Sequence, residues 1–311
     1  MAINEPSSDI AAILNARARA QSKPGKRADP HHLALVVECG GMRGAVAGGM
    51  MQVLQDAGMT TAFDSAHGSS AGACAAAYFL SGQSEAGRAI YHEDICNRAI
   101  VNPAGLLRYP SMVETDYIVD EIIAKKRFLN TDKIIASGTQ FHVVTTSVSS
   151  GLPVVHAKFP DRQSILNALR ASLRVPGLRE PGVHMNGVLH IDGGISAPIP
   201  IFSATKSGAT HILVIRTKKA GEVGSLGWAS RLEFAMLKFK YGAHVAESYL
   251  RAADDRIIES NKSDGTHRVA IRILQRAATS AYCGWHTIDK ATLRSVEHDA
   301  MDAARALLGD Q

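Results

Sequence analysis

Short apolar runs of strand length alternate with longer helix-like segments along most of this chain. The clearest run is 33–38, Leu-Ala-Leu-Val-Val-Glu, followed by a glycine-rich loop and a helix-like segment that Gly58 stops. Further strands are predicted at 62–67, 141–148, 152–158, 188–192, 210–216 and 267–274. Helices are predicted at 44–57, 71–81, 84–98, 115–126, 162–173, 228–259 and 287–308. Ser149-Ser150-Gly151, between two β-rich runs, reads as a hairpin turn. This alternation predicts an α/β fold with a mainly parallel central sheet and helices on both faces. In such sheets reactive groups gather at the C-terminal ends of the strands. Residues 1–30 read as a polar arm, with a short helix near 10–20 and a linker over 21–30. Residues 31–216 read as the catalytic core, and 217–311 as an extension packed on it within one globular domain.

Three predicted strand ends carry chemistry. The first is His67-Gly68-Ser69-Ser70-Ala71-Gly72, a G-x-S-x-G pattern between a strand and a helix. Glycines flank such a serine because no side chain fits beside the turn. Ser70 would then stand at a helix N-terminus, where free amides and the helix dipole favour negative charge. The second is Cys39-Gly40-Gly41-Met42-Arg43-Gly44, again between strand and helix. Its backbone N–H groups can line one concave turn that receives an anion. The glycine spacing matches neither a dinucleotide fingerprint nor a P-loop. An oxyanion hole remains, in which each donor amide stabilises a tetrahedral intermediate by about 3–4 kcal/mol. The third is Asp192-Gly193-Gly194, a carboxylate at a strand end followed by two glycines.

At these positions the chain resembles the patatin-like phospholipase family. That family carries a glycine-rich oxyanion loop, a G-x-S-x-G elbow and a D-G-G/A motif in this order. Ala171-Ser172-Leu173-Arg174-Val175-Pro176-Gly177 is similar to the family's A-S-x-x-x-P-G segment. The resemblance covers about 33–216 and is nearest to the bacterial branch of the family. It implies a three-layer α/β/α fold and a serine acyl hydrolase acting on lipid esters. It makes Ser70 the nucleophile and Asp192 its base, with no histidine. The backbone amides of Gly40, Gly41, Met42 and Arg43 would form the oxyanion hole, and Gly68, Gly72, Gly193 and Gly194 would be motif glycines. Cys39 departs from the pattern, standing where the family has its first loop glycine. A Cβ there costs about 1 kcal/mol or more if the backbone needs positive φ, and little if only an N–H is required.

An unperturbed carboxylate, with a pKa of about 4, is a feeble base for a serine. Asp192 is therefore expected in a partly dry site that raises its pKa. Two rivals stand beside this reading. One is a Ser-His-Asp hydrolase completed by His211, His267 or His286. The other is a catalytically impaired lipid-binding module in which Cys39 marks a lost oxyanion hole.

Composition narrows the remaining possibilities. The chain has 311 residues, 46% hydrophobic and 20% charged, enough for one large α/β core. Its four cysteines show no C-x-x-C spacing and its histidines no metal-binding spacing, so neither a disulfide framework nor a metal is expected. No cofactor is expected. There is no signal-peptide core and no apolar run near the ~18 residues of a membrane span, so a cytoplasmic place is expected. The net charge of +5 is too scattered to argue for nucleic acid but suits peripheral contact with anionic membrane. Residues 228–250 interleave aromatic and basic side chains, as a membrane-surface helix or a core helix would. Residues 102–113 read as a lid, an acyl-binding loop or an irregular packed loop.

Overall fold

The computed structural model describes residues 9–102, 112–177, 181–222, 228–252 and 269–309, apart from the side chains of 228 and 229. The proposed lid over 103–111, His267, the helix beyond 252 and the Trp228 side chain lie outside the described residues.

An eight-stranded mixed sheet forms the middle layer. Its strands are β1 (Leu33–Val37), β2 (Ser65–Ser69), β3 (Gln140–Ser147), β4 (Pro153–His156), β5 (Val183–Met185), β6 (Val188–Asp192), β7 (His211–Lys219) and β8 (Ala270–Arg276). The hydrogen-bonded path runs β5-β6-β3-β2-β1-β7-β8, with β4 also on β3. β3, β2, β1, β7 and β8 are mutually parallel, and β4, β5 and β6 add antiparallel pairs.

The helices are α1 (Ile10–Arg19), α2 (Gly44–Asp56), α3 (Ala71–Leu80), α4 (Ser84–Ala89), α5 (Thr131–Ala136), α6 (Arg162–Ser172), α7 (Ile201–Lys206), α8 (Trp228–Tyr241), α9 (Ala243–Ala252) and α10 (Lys290–Leu308). Side chains alternate across a strand, so β1 serves two cores. Leu33, Leu35 and Val37 pack with α1, α2, α3, α6 and α10. Ala34 and Val36 face the other way, against Ile201 and Ala204 of α7. On that second side α8 and α9 cover Ile191 and Ile195. Three layers result, the α/β/α arrangement expected of a patatin-like fold.

The register of β3 brings two distant strand ends together. Val143 and Val144 pair with β2 on one edge and β4 on the other. Thr145 and Thr146 pair with β4 and with β6. β2 and β6 therefore share one edge of β3, end to end and running in opposite directions. β2 finishes at Ser69 opposite Val144, and β6 finishes at Asp192 opposite Thr145. The residue after β2 thus meets the last residue of β6.

Several elements differ from the sequence reading. Residues 10–19 do not belong to a polar arm. Ile10, Ala11, Ile13 and Leu14 of α1 enter the main core, and Arg17 is buried in ion pairs with Asp29 and Asp64 at 2.6 and 2.8 Å. The expected helices at 84–98 and 115–126 become π-helical at Ile90–Asp94 and Ile118–Lys126. The long helix expected from 228 breaks at Gly242, whose φ of +97° only glycine adopts readily. The β5–β6 hairpin was not expected, although its Asn186-Gly187 turn has positive φ at both positions, the geometry such a pair favours.

Candidate active site

Ser70 follows β2 and caps α3 with φ +53° and ψ −128°. Such a backbone costs on the order of 1–3 kcal/mol in a residue with a Cβ, so its surroundings must hold it. They do so through Ser172, at the end of α6. The Ser70 N–H donates to Ser172 Oγ at 2.8 Å, and that hydroxyl donates to Val144 O at 2.6 Å. Close packing also requires the flanking glycines. A Cβ on Gly72 would stand 2.5 Å from the carbonyl oxygens of Val37 and Glu38, and one on Gly68 2.5 Å from Ala73 Cα. The small residues of α3 therefore let it start between the ends of β1 and β2.

Ser70 Oγ donates to Asp192 Oδ2 at 2.7 Å. The other carboxylate oxygen accepts the Gly194 N–H at 2.7 Å. Gly193 lets the chain turn away beside β3, since a Cβ there would stand 2.1 Å from Val144 O. Asp192 is 6% exposed, and burial pushes its pKa up to about 7. The Ser70 and Gly194 hydrogen bonds oppose that rise, and the negative field of Glu233 adds to it. Glu233 sits on α8 and accepts a hydrogen bond from Tyr249 of α9 at 2.9 Å. The helical pair thus brings a second carboxylate towards the first.

The glycine loop follows β1. Gly41 has φ +55°, and a Cβ there would stand 2.5 Å from Trp285 O. Two of the four amides expected to receive an oxyanion are already engaged. Met42 N–H donates to Trp285 O at 2.8 Å, and Arg43 N–H to Gly40 O at 3.0 Å. The candidate hole narrows to the amides of Gly40 and Gly41. Ala71 adds a third candidate donor, because the first N–H of a helix has no intrahelical acceptor. Arg43 Nε donates to Thr217 Oγ1 at 3.3 Å, so its side chain steadies the loop.

Cys39 is not strained, for its φ lies outside the left-handed region. Its N–H donates to Pro198 O at 2.9 Å. Burial, with the Glu38 and Asp192 carboxylates nearby, pushes its thiol up to about 12. The side chain is a neutral thiol at physiological pH.

An apolar cavity opens beside Ser70. It holds about 50 Å³, and its lining includes Ile90, Ile95, Ile118, Ile123, Leu173 and Val175, together with Tyr91 and Trp285. Four of these side chains come from the two π-helical stretches: Ile90 and Tyr91 lie in one, and Ile118 and Ile123 in the other.

Neither described histidine proposed for a triad lies between serine and carboxylate. His211 opens β7 opposite Leu33, at the far end of the parallel strands from Ser70. His286 stacks edge-on against Trp285. Among the described residues there is no cluster of three or more His, Cys, Asp or Glu fit to hold a metal. No described helix is long and apolar enough to cross a membrane.

The family model for patatin-like phospholipase matches residues 35–205. The chain belongs to the patatin-like phospholipase family, whose members are typically lipid acyl hydrolases. An uncharacterized Escherichia coli K12 protein, YjjU, is 30% identical over 207 residues, covering 66% of this chain and 57% of that protein. An uncharacterized NTE family protein of Mycobacterium bovis is 33% identical over 171 residues, 54% of this chain and 27% of its own length. The crystal structure of VipD from Legionella pneumophila overlays with a TM-score of 0.43 at 14% identity, covering 90% of this chain and 67% of that one.

Proposed function

We propose that this protein is a serine acyl hydrolase that cleaves carboxylic esters of lipids through Ser70 and Asp192. The observation that carries the reading is the 2.7 Å hydrogen bond from Ser70 to a buried carboxylate whose pKa lies near 7. A base with that pKa is half ionised at neutral pH and accepts a proton far better than an ordinary carboxylate. Ser70 Oγ attacks the ester carbonyl while its proton passes to Asp192. The Gly40 and Gly41 amides receive the oxyanion. Collapse expels the alcohol, which takes the proton from Asp192, and the acyl group stays on Ser70. Water then attacks the acyl-enzyme, gives its proton to Asp192 and releases the fatty acid, returning that proton to Ser70. The acyl chain lies in the apolar cavity.

We assign the approach to lipid to the outer face of α8. Phe239 there is 84% exposed, Leu232 is exposed too, and Arg231 and Lys238 flank them. The inner face carries Met236 and Leu237, which pack on Ile191 and Ile195. An apolar side chain among cations complements an anionic bilayer, and salt screens the attraction.

The test is a lipid-panel hydrolysis assay with fluorophosphonate labelling. The wild type labels and hydrolyses, whereas Ser70→Ala and Asp192→Asn each lose turnover by several orders of magnitude. The double variant is no worse than either single one, because the pair acts as a unit. Near-normal turnover by Asp192→Asn, or a wild type that never labels, defeats the reading.

A further inference from the structure

We propose that Trp285 determines acyl specificity and that its carbonyl oxygen positions the oxyanion loop, so that the strap between β8 and α10 completes the active site. The proposal rests on the hydrolase reading above and gives it a selectivity filter. The strap, 277–289, lies outside the 35–205 that the family model matches.

Trp285 touches the site in two ways. Its carbonyl accepts the Met42 N–H at 2.8 Å, and it fills the place that a Cβ on Gly41 would need. The Met42 peptide follows directly on the Gly40 and Gly41 amides. Fixing it fixes where those two N–H groups point, and a misaimed donor loses most of its value to a transition state. Trp285 also lines the cavity that begins at Ser70. Eight of the lining residues are isoleucine, leucine or valine from the body of the fold, whereas Trp285 is a half-buried aromatic from the strap. A large side chain in the wall of a small apolar pocket bears on which acyl chains the pocket accepts.

The strap is built to keep this position. Lys219 Nζ donates to Ser280 O at 2.9 Å, and Arg276 Nη1 to Ala281 O at 3.0 Å. Cys283 is fully buried. Gly284 N–H bonds Thr287 Oγ1 at 2.9 Å, closing a turn around Trp285. Two cationic side chains from β7 and β8 therefore hold the segment by its carbonyls, next to the residue that meets the loop.

The two roles separate experimentally. Trp285→Ala should lower the ratio of kcat/KM for p-nitrophenyl octanoate over p-nitrophenyl acetate by about tenfold or more, chiefly through KM for the longer ester. Trp285→Phe should restore most of that ratio. Lys219→Met removes one strap anchor and touches no reacting atom. It should lower kcat for both esters by the same factor, about three- to tenfold, with little change in KM. A Trp285→Ala enzyme with the wild-type chain-length ratio overturns the specificity role. An unchanged kcat in a folded Lys219→Met enzyme overturns the positioning role.

A third measurement does not depend on turnover. The chain has two tryptophans, so Trp228→Phe leaves Trp285 as the sole indole reporter. Its emission should shift to shorter wavelength when dodecanoate is added, and stay unchanged with acetate. No response to dodecanoate overturns the proposal. A response in a protein that hydrolyses no ester leaves the cavity role standing and defeats the hydrolase reading instead.

Discussion

Under the proposed Ser70–Asp192 mechanism, the protonation of Asp192 should set a measurable limit on turnover. In that mechanism the ionised carboxylate takes the Ser70 proton, and burial holds its pKa near 7. Below that value the ionised fraction falls tenfold per pH unit. At pH 5 about one molecule in a hundred carries the base, so kcat/KM should lie about 100-fold below its plateau. An ordinary aspartate would be almost fully ionised at pH 5 and give a flat profile there. The assay is the initial rate on a soluble short-chain ester from pH 5 to 9, with product separated before detection. Replacing Glu233 by Gln removes a negative field that raises the Asp192 pKa, so the acid limb should move to lower pH in that variant. A control for folding is necessary, because buried histidines also respond to acid. His142 stacks on His67 at 4.2 Å, and burial lowers its pKa to about 4. Its neutral form favours the fold fully above the unfolded pKa of about 6.5, and that contribution is lost as pH falls towards 4. At pH 5 the loss is about 2 kcal/mol, within the ~5–15 kcal/mol of a typical domain. Circular dichroism at each pH separates unfolding from protonation of the base. A limb centred below about pH 5 in folded protein would refute the argument that a desolvated aspartate replaces histidine here.

Other outcomes follow from the same geometry. Asp192→Asn should raise the melting temperature at pH 8 while removing activity. A carboxyl whose pKa rises on folding is most favourable below its unfolded value, about 4. It loses about 4 kcal/mol as pH climbs to 7, and an uncharged amide avoids that loss; calorimetry showing a lower melting temperature would contradict it. Gly41→Val should cost about 100-fold or more in kcat, since its Cβ would meet Trp285 O at 2.5 Å in a backbone with φ +55°; a silent substitution would remove this loop as the oxyanion hole. Cys39→Gly should leave ester turnover within about threefold, because Cys39 occupies ordinary backbone space and its amide is bonded to Pro198; a tenfold gain would mean the thiol obstructs the site. His142→Phe should flatten the loss of urea stability between pH 6.5 and 5, since it takes away one buried group that must charge on unfolding; an unchanged slope would place the acid sensitivity elsewhere.

What the sequence made legible follows from the range over which each feature is determined. Local chemistry is written in short words. A glycine loop after an apolar run, a serine between glycines and an aspartate before two glycines each describe one strand end, and the strands lie within a few residues of where the pattern put them. Pairing is not written that way. That β2 and β6 meet head to head on β3 depends on registers between segments more than 40 residues apart. The α1 pattern misleads for a simpler reason. Ile10, Ile13 and Leu14 are spaced for one helical face, but the next residue on it is Arg17, a charge whose burial is possible only because Asp29 and Asp64 come from elsewhere to meet it. The candidate oxyanion hole is the sharpest case. Sequence gives four amides in a row and no way to rank them, since every residue but proline has one. A carbonyl on Trp285, 243 positions after Met42, takes one amide, and Gly40 O takes another. A main-chain acceptor leaves no side-chain signature, so the contact that separates Gly40 and Gly41 from their neighbours exists only in the folded chain. The chemistry of such a site is local and its aim is global. Substitutions in the strap should therefore change selectivity and rate without touching any residue that the motifs name.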